Sequence, residues 1–163
     1  MVIGDSSTLI HLSAIGRFAL LKDLYGRLTV TPAVWREVVD QGKGRTGVAD
    51  LEAAREHGWL EVRMPANQPL VHSLRHELDE GEAEVIALAV EHPGSLALLD
   101  ESDARRIASS FEIEKTGAIG VLIRAKAEGR IDSLRSELDK IRTEGGFWIE
   151  DELYQKVLQA AGE

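Results

Sequence analysis

Apolar residues along the chain alternate between short continuous runs and helix-spaced sets. Val2-Ile3 reads as a short buried strand leading to Asp5. Ser6-Ser7-Thr8 then precede Leu9, Ile10, Leu12 and Ile15, which predicts a serine-capped helix. A second helix is expected over about Phe18 to Leu24, closed by Gly26, before a β-branched strand at Leu28 to Thr31. Pro32 opens the next helix, where Val34 and Val38 share one face with Glu37 beside them. Gly42 to Gly47 is glycine-rich and basic and reads as a mobile loop. A helix around Val48 to His57 follows. Trp59 to Met64 then alternates like an edge or half-buried strand, stopped by Pro65.

The second half repeats this grammar. After a helical stretch from Leu70, Asp79-Glu80-Gly81-Glu82 introduces the helix Ala83 to Val90, which Pro93-Gly94 terminates. Ser95 to Leu99 is apolar and ends in Asp100; a helix over Asp103 to Phe111 and a short strand from Ile113 come next. Further helices are predicted over Thr116 to Lys126, Asp132 to Thr143 and Glu150 to Leu158. The last is amphipathic, with Leu153, Val157 and Leu158 on the side expected to pack on the core. Strands alternating with helices predict an α/β domain with a mainly parallel sheet covered on both faces, and in such sheets ligands collect at the carboxyl ends of the strands. Two strands end in aspartate, at Asp5 and Asp100.

Length and composition narrow the class. A chain of 163 residues suits one domain, 1–163. No apolar stretch approaches the roughly 18 residues of a membrane span, and the N-terminus carries no basic, cleavable leader pattern, so a cytoplasmic protein is expected. The absence of cysteine excludes disulfides, thiolate zinc sites and cysteine nucleophiles, leaving oxygen or imidazole ligands for any metal. The net charge of −9, from 28 acidic and 19 basic residues, is the wrong sign for a protein that binds nucleic acid through a broad basic surface. Acids gathered round bound cations do not oppose nucleic acid in that way, and a few local lysines and arginines suffice to line a groove.

Taken singly, each acid has a plain structural reading. Asp5 and Asp100 are placed to cap helices, and Glu82 stands in a first turn that favours an acid through the helix dipole. Taken as a set, Asp5 and Asp100 at strand ends, with Glu37 and Glu82 reaching in from flanking helices, would repel one another. Two carboxylates about 4 Å apart at an effective dielectric near 20 cost about 4 kcal/mol, so such a pocket protonates or binds a cation. Hard oxygen ligands suit Mg2+ or Mn2+, and a pair of ions about 3.5–4 Å apart serves in-line phosphodiester displacement. No phosphate-binding glycine loop, dinucleotide fingerprint, nucleophile elbow or zinc-protease helix is present, and Ser7 stands where an aspartyl phosphatase carries its second aspartate. His11 is expected to pack on its own helix, and His72 and His76, four apart, to form a solvated face.

Four motifs in register resemble a prokaryotic branch of the PIN-domain family. They are Val2-Ile3-Gly4-Asp5-Ser6-Ser7 with Leu9-Ile10, Pro32-Ala33-Val34 with Glu37-Val38, Gly81-Glu82-Ala83-Glu84 with Ile86 to Ala89, and Leu98-Leu99-Asp100-Glu101 with Ala104-Arg105. Thr116 to Leu122 with Ala125-Lys126 and Gly129 continues the likeness, which covers nearly the whole chain. The resemblance implies a three-layer α/β/α sandwich and a Mg2+- or Mn2+-dependent ribonuclease, a hydrolase of RNA phosphodiester bonds often met as the toxin of a toxin–antitoxin pair. It assigns Asp5, Glu37, Glu82 and Asp100 as metal-binding acids, Asp103 as a fifth ligand with Glu101 as its substitute, and Ser6 as a supporting hydrogen-bond donor. Lys43, Arg45, Arg105 and Lys115 are the cations expected to guide RNA. An antitoxin that masks the acids and a homodimer are the expected partners. The alternative is a catalytically inactive PIN-like module that binds protein or nucleic acid.

Overall fold

A computed structural model of the chain describes residues 1–42 and 44–163. Five three-residue strands, β1 (Val2–Gly4), β2 (Leu28–Val30), β3 (Leu60–Val62), β4 (Leu96–Leu98) and β5 (Glu114–Thr116), form one sheet in the order β3-β2-β1-β4-β5. Every neighbouring pair is parallel, so the sheet read as mainly parallel is wholly so. Parallel strands require crossovers, and helices supply them. From β1 the chain builds outward through β2 to β3, then returns to the other side of β1 for β4 and β5. The reversal lies between β1 and β4, and it is at such a reversal, outside the carboxyl ends of the strands, that open parallel sheets bind ligands. Asp5 and Asp100 follow these two strands.

The helices are α1 (Ser6–Ala14), α2 (Leu20–Tyr25), α3 (Pro32–Trp35), α4 (Val48–Glu56), α5 (Gln68–Leu74), α6 (Glu80–Glu91), α7 (Ser102–Ser110), α8 (Ala118–Ala127), α9 (Leu134–Thr143) and α10 (Asp151–Ala160). They complete an α/β/α sandwich. In one group α6 packs on β1 and β4, with α3, α5 and α7 beside it; in another α1, α2 and α9 pack on α8 or on each other. Ile3, Ala97 and Leu98 are fully buried in the central strands. The α6 residues Gly81 to Ala89 are all buried, and its alanines at 83, 87 and 89 permit neighbours on every side. Among the described residues no helix is long and apolar enough to cross a membrane.

Several local expectations change in the folded chain. The residue at the N-cap of α1 is Asp5, and Ser6 is already helical. Asp5 still belongs to the sheet, its N–H donating to the Leu98 carbonyl at 3.1 Å, so strand and helix meet without a spacer. The second helix begins two residues late, because Leu20, Leu21 and Lys22 donate to carbonyls three residues back in a tighter turn. After α3 the backbone widens into one π-helical turn, Arg36–Asp40, with Gln41 N–H donating to the Arg36 carbonyl at 2.8 Å. A Cβ at Gly42 would overlap the Val38 carbonyl, so the turn can end there only on glycine. In α10 the buried face is Tyr154 and Leu158. Leu153 is 43% exposed, because the Tyr154 hydroxyl donates to Asp139 at 2.7 Å and fixes the helix rotation.

Candidate active site

Asp5 follows β1 at the strand-order reversal. Its side chain makes no capping hydrogen bond to α1, which removes the reading of it as an ordinary cap. It is 3% exposed, and its Oδ1 is buried without a hydrogen-bond partner among the described residues. Burial holds its carboxyl well above the usual carboxylate range. The negative charges of Asp79, Glu82 and Glu37 add to that rise, and only the Ser6 amide opposes it.

Two helices bring further acids to Asp5. Glu37 lies on the π turn, half-buried, and accepts the Ser6 hydroxyl proton in a short hydrogen bond. A Cβ at Gly81 would stand 2.9 Å from both Glu37 carboxylate oxygens, so a glycine in the first turn of α6 lets the two elements close. Burial raises the Glu37 carboxyl and the Asp79 charge adds to it, whereas the Ser6 hydrogen bond, the Gly81 amide and Arg36 work the other way.

Glu82, 6% exposed, is the third residue of α6 and half of a capping box. Its N–H donates to Asp79 Oδ1 at 2.8 Å, and its Oε2 accepts the Asp79 N–H at 3.2 Å. Burial pushes its carboxyl up to about 7, helped by Asp79, Glu101 and Glu37 and opposed by the Asp79 amide. Asp79 therefore acts on all three other acids, although its place in the sequence marks only a helix start. The Asp-x-x-Glu spacing of Asp79 and Glu82 was the signal available for it.

Asp100 is held differently. Both of its oxygens are engaged: Oδ2 lies 2.9 Å from His11 Nδ1, and Oδ1 accepts the Ala118 N–H at 2.9 Å, at the start of α8. A Cβ at Gly117 would overlap that carboxylate. His11, expected to pack on its own helix, instead reaches across to β4 and meets the Phe147 ring edge-on at 4.7 Å. Glu101 is the exposed N-cap of α7. Asp103, on the exposed first turn of α7, lies 3.7 Å from Arg106, which also pairs with Glu77 at 3.0 Å. The fold thus groups Asp5, Glu37, Asp79 and Glu82, with Glu101 acting on Glu82. It ties Asp100 to His11 and α8, and sets Asp103 in a surface ion pair.

A family model described as a PIN domain matches residues 1–163. The chain belongs to the PIN-domain family. No curated protein matches it. PIN domains have a nuclease-type fold, are generally hydrolases of phosphodiester bonds, and typically use divalent metal ions.

Whether this PIN domain suits such an ion is tested by its own donors. Among the described residues no three His, Asp or Glu side chains converge closely enough to hold one ion together. The donor chemistry nevertheless fits. Every acid of the group is a hard oxygen ligand, and the Oδ1 of Asp5 is buried with no hydrogen-bond partner among the described residues. Of the cations expected to guide a substrate in this PIN domain, Arg105 is half-buried and donates to the Leu99 carbonyl at 2.8 Å, bracing the end of β4. Lys115 is half-buried on edge strand β5, in register with Ala97. Arg45 is exposed in the turn after Gly42, and Lys43 lies outside the described residues. The exposed rings of His72 and His76 stand edge to face at 5.8 Å.

Proposed function

We propose that this PIN domain is an endoribonuclease that hydrolyses RNA phosphodiester bonds with Mg2+ or Mn2+ held by Asp5, Glu37, Glu82 and Asp100. The observation that carries the reading is the Asp5 carboxylate, buried at the strand-order reversal with an unpartnered oxygen and other acids beside it. Such a group costs several kcal/mol as an unpaired anion, so it stays protonated or awaits a positive partner. A bound ion supplies neutralisation of these carboxylates and activation of water for attack at phosphorus. The chain supplies orientation: Ser6 fixes Glu37, the capping box with Asp79 fixes Glu82, and His11 with the Ala118 amide fixes Asp100. Arg105, Lys115, Arg45 and Lys43 are the candidates to meet the RNA backbone. The choice of RNA and a toxin role follow the resemblance to prokaryotic PIN ribonucleases. An inhibitory antitoxin would be recognised by an arginine entering the same acids, since a guanidinium pairs with carboxylates in two parallel hydrogen bonds.

The test is incubation of a mixed pool of structured and single-stranded RNAs with Mg2+, Mn2+ or EDTA, beside the variant Asp5→Asn. Cleavage that needs the ion and falls by about a thousandfold or more in the variant is expected. Asp5→Asn should melt at or above the temperature of the unsubstituted protein in EDTA, because it removes a buried charge. Cleavage that persists in the pure variant rules the mechanism out. No cleavage together with no ion-induced rise in melting temperature leaves the non-catalytic binding module.

A further inference from the structure

We propose that Glu84 is a positioning residue for Glu37: by holding the first turn of α3 against α6, it sets the acid of the π turn in the pocket. Glu84 is 5% exposed, a buried acid of α6 that the ion-binding group does not include. Its Oε2 accepts the Ala33 N–H at 2.9 Å. Ala33 has the amide of this turn that needs an acceptor from outside. Pro32 before it has no N–H, and Val34 after it donates to the Thr31 hydroxyl oxygen at 3.4 Å, within the cap of α3 itself. A carboxylate makes a hydrogen bond to such a donor that is about twice as strong as a neutral acceptor makes.

The bond matters because of what α3 leads into. α3 has four residues, too few to hold a course alone, and it passes without a break into the π turn Arg36–Asp40. Glu37 lies one turn beyond Ala33, and Gly81 lies one turn before Glu84. α6 therefore meets this segment twice, at Ala33 through Glu84 and at Glu37 through the space that Gly81 leaves, where a Cβ would stand 2.9 Å from both carboxylate oxygens. The second meeting depends on the first. The Gly81 amide and the Ser6 hydroxyl reach the Glu37 carboxylate only while the π turn keeps its distance from α6, and the Glu84 bond fixes that distance one turn away. Without it the start of α3 is free to move, and Glu37 moves with it. The ion that Glu37 would meet is that of the proposed function, so the inference rests on that reading.

Mn2+ binding by the full chain, read from the electron paramagnetic resonance of the free ion, tests the inference without cleavage. Glu84→Asp keeps the charge but withdraws the acceptor by one carbon; Glu84→Gln keeps the acceptor and removes the charge. Glu84→Asp should weaken Mn2+ binding by about tenfold or more, the usual consequence of losing a metal ligand's support, and Glu84→Gln should stay within about threefold of the unsubstituted protein. Glu84→Met lacks both and should match Glu84→Asp, which it replaces if that variant does not fold. Arg17→Met, which disturbs the fold at the Glu137 pair on α9, should bind Mn2+ like the unsubstituted protein. A loss in Glu84→Gln as large as in Glu84→Asp would put the effect in the charge, and an equal loss in Arg17→Met would make it one of general stability; either overturns the proposal. Mn2+ binding that is the same in Glu84→Asp, Glu84→Met and the unsubstituted protein rejects the positioning alone. No Mn2+ binding by the unsubstituted protein rejects the ion reading, and the positioning with it.

Discussion

Two buried carboxylates in this protein are treated in opposite ways. Glu137, on α9, is 3% exposed and clasped by Arg17, with hydrogen bonds of 3.0 and 2.7 Å and Lys140 at 3.6 Å; Arg17 and Lys140 together hold its carboxyl below the ordinary value against burial, which alone would raise it. Asp5, equally buried, has no cation beside it among the described residues and three other acids acting on it, and its carboxyl is driven up. The fold can pair a buried anion where the anion serves structure. At the strand-order reversal it gathers anions instead, a cluster that burial and mutual repulsion leave to be neutralised by protons or by a cation.

Removing the clasp should have the largest effect on stability. Arg17→Met leaves Glu137 buried without its bidentate partner and should lower unfolding free energy by about 2–3 kcal/mol, measured by urea denaturation, with cleavage per folded molecule unchanged. A loss of activity beyond the loss of folded protein would mean that the two regions are not separate. A smaller effect distinguishes the two by pH. Glu82 titrates near 7 in the folded chain and at ordinary carboxylate values when unfolded, so in EDTA its contribution to stability is full below about pH 4.5 and is lost as pH rises through about 7. Glu137 runs the other way, its contribution present above about pH 4.5 and lost as pH falls through its lowered pKa. Glu82→Gln, which keeps an acceptor for the capping box, should therefore flatten the decline of melting temperature between pH 5 and 8 in EDTA; an unchanged decline would assign it to other groups.

The smallest change in stability is expected at Gly81. Alanine there gains about 0.5–1 kcal/mol of helix propensity but presses on the Glu37 carboxylate at 2.9 Å, so net stability should move by less than about 1 kcal/mol. The ion-induced rise in melting temperature should nonetheless shrink. A full ion response in Gly81→Ala would show that Glu37 tolerates displacement.

Asp5 and Asp100 were legible because each ends a short apolar run in a chain of alternating strands and helices, and a parallel sheet was legible for the same reason. Local pattern could not reveal that β4 returns beside β1, since that order is set by packing across some ninety residues. The same separation hid the His11–Asp100 contact, for nothing around His11 distinguishes it from a packed helix residue. Asp5 looked like a helix cap and occupies that position, but its side chain leaves the cap unmade. Arg17 and Glu137, 120 positions apart, carry no mutual signature at all. Asp79 is readable in principle through its capping box, but the same spacing marks an ordinary helix start.

The π turn at Arg36–Asp40 makes this stretch sensitive to reading-frame-preserving deletions. An α-helix advances about 100° per residue, so losing a single codon between Glu37 and Gly42 would relax the turn and rotate one side of it against the other. Either Val38 and Val39 would keep their buried places and Glu37 would swing away from Ser6, or Glu37 would stay and the valines would leave the core. One missing codon is thus a short mutational path from the acid pocket to a relative that lacks it.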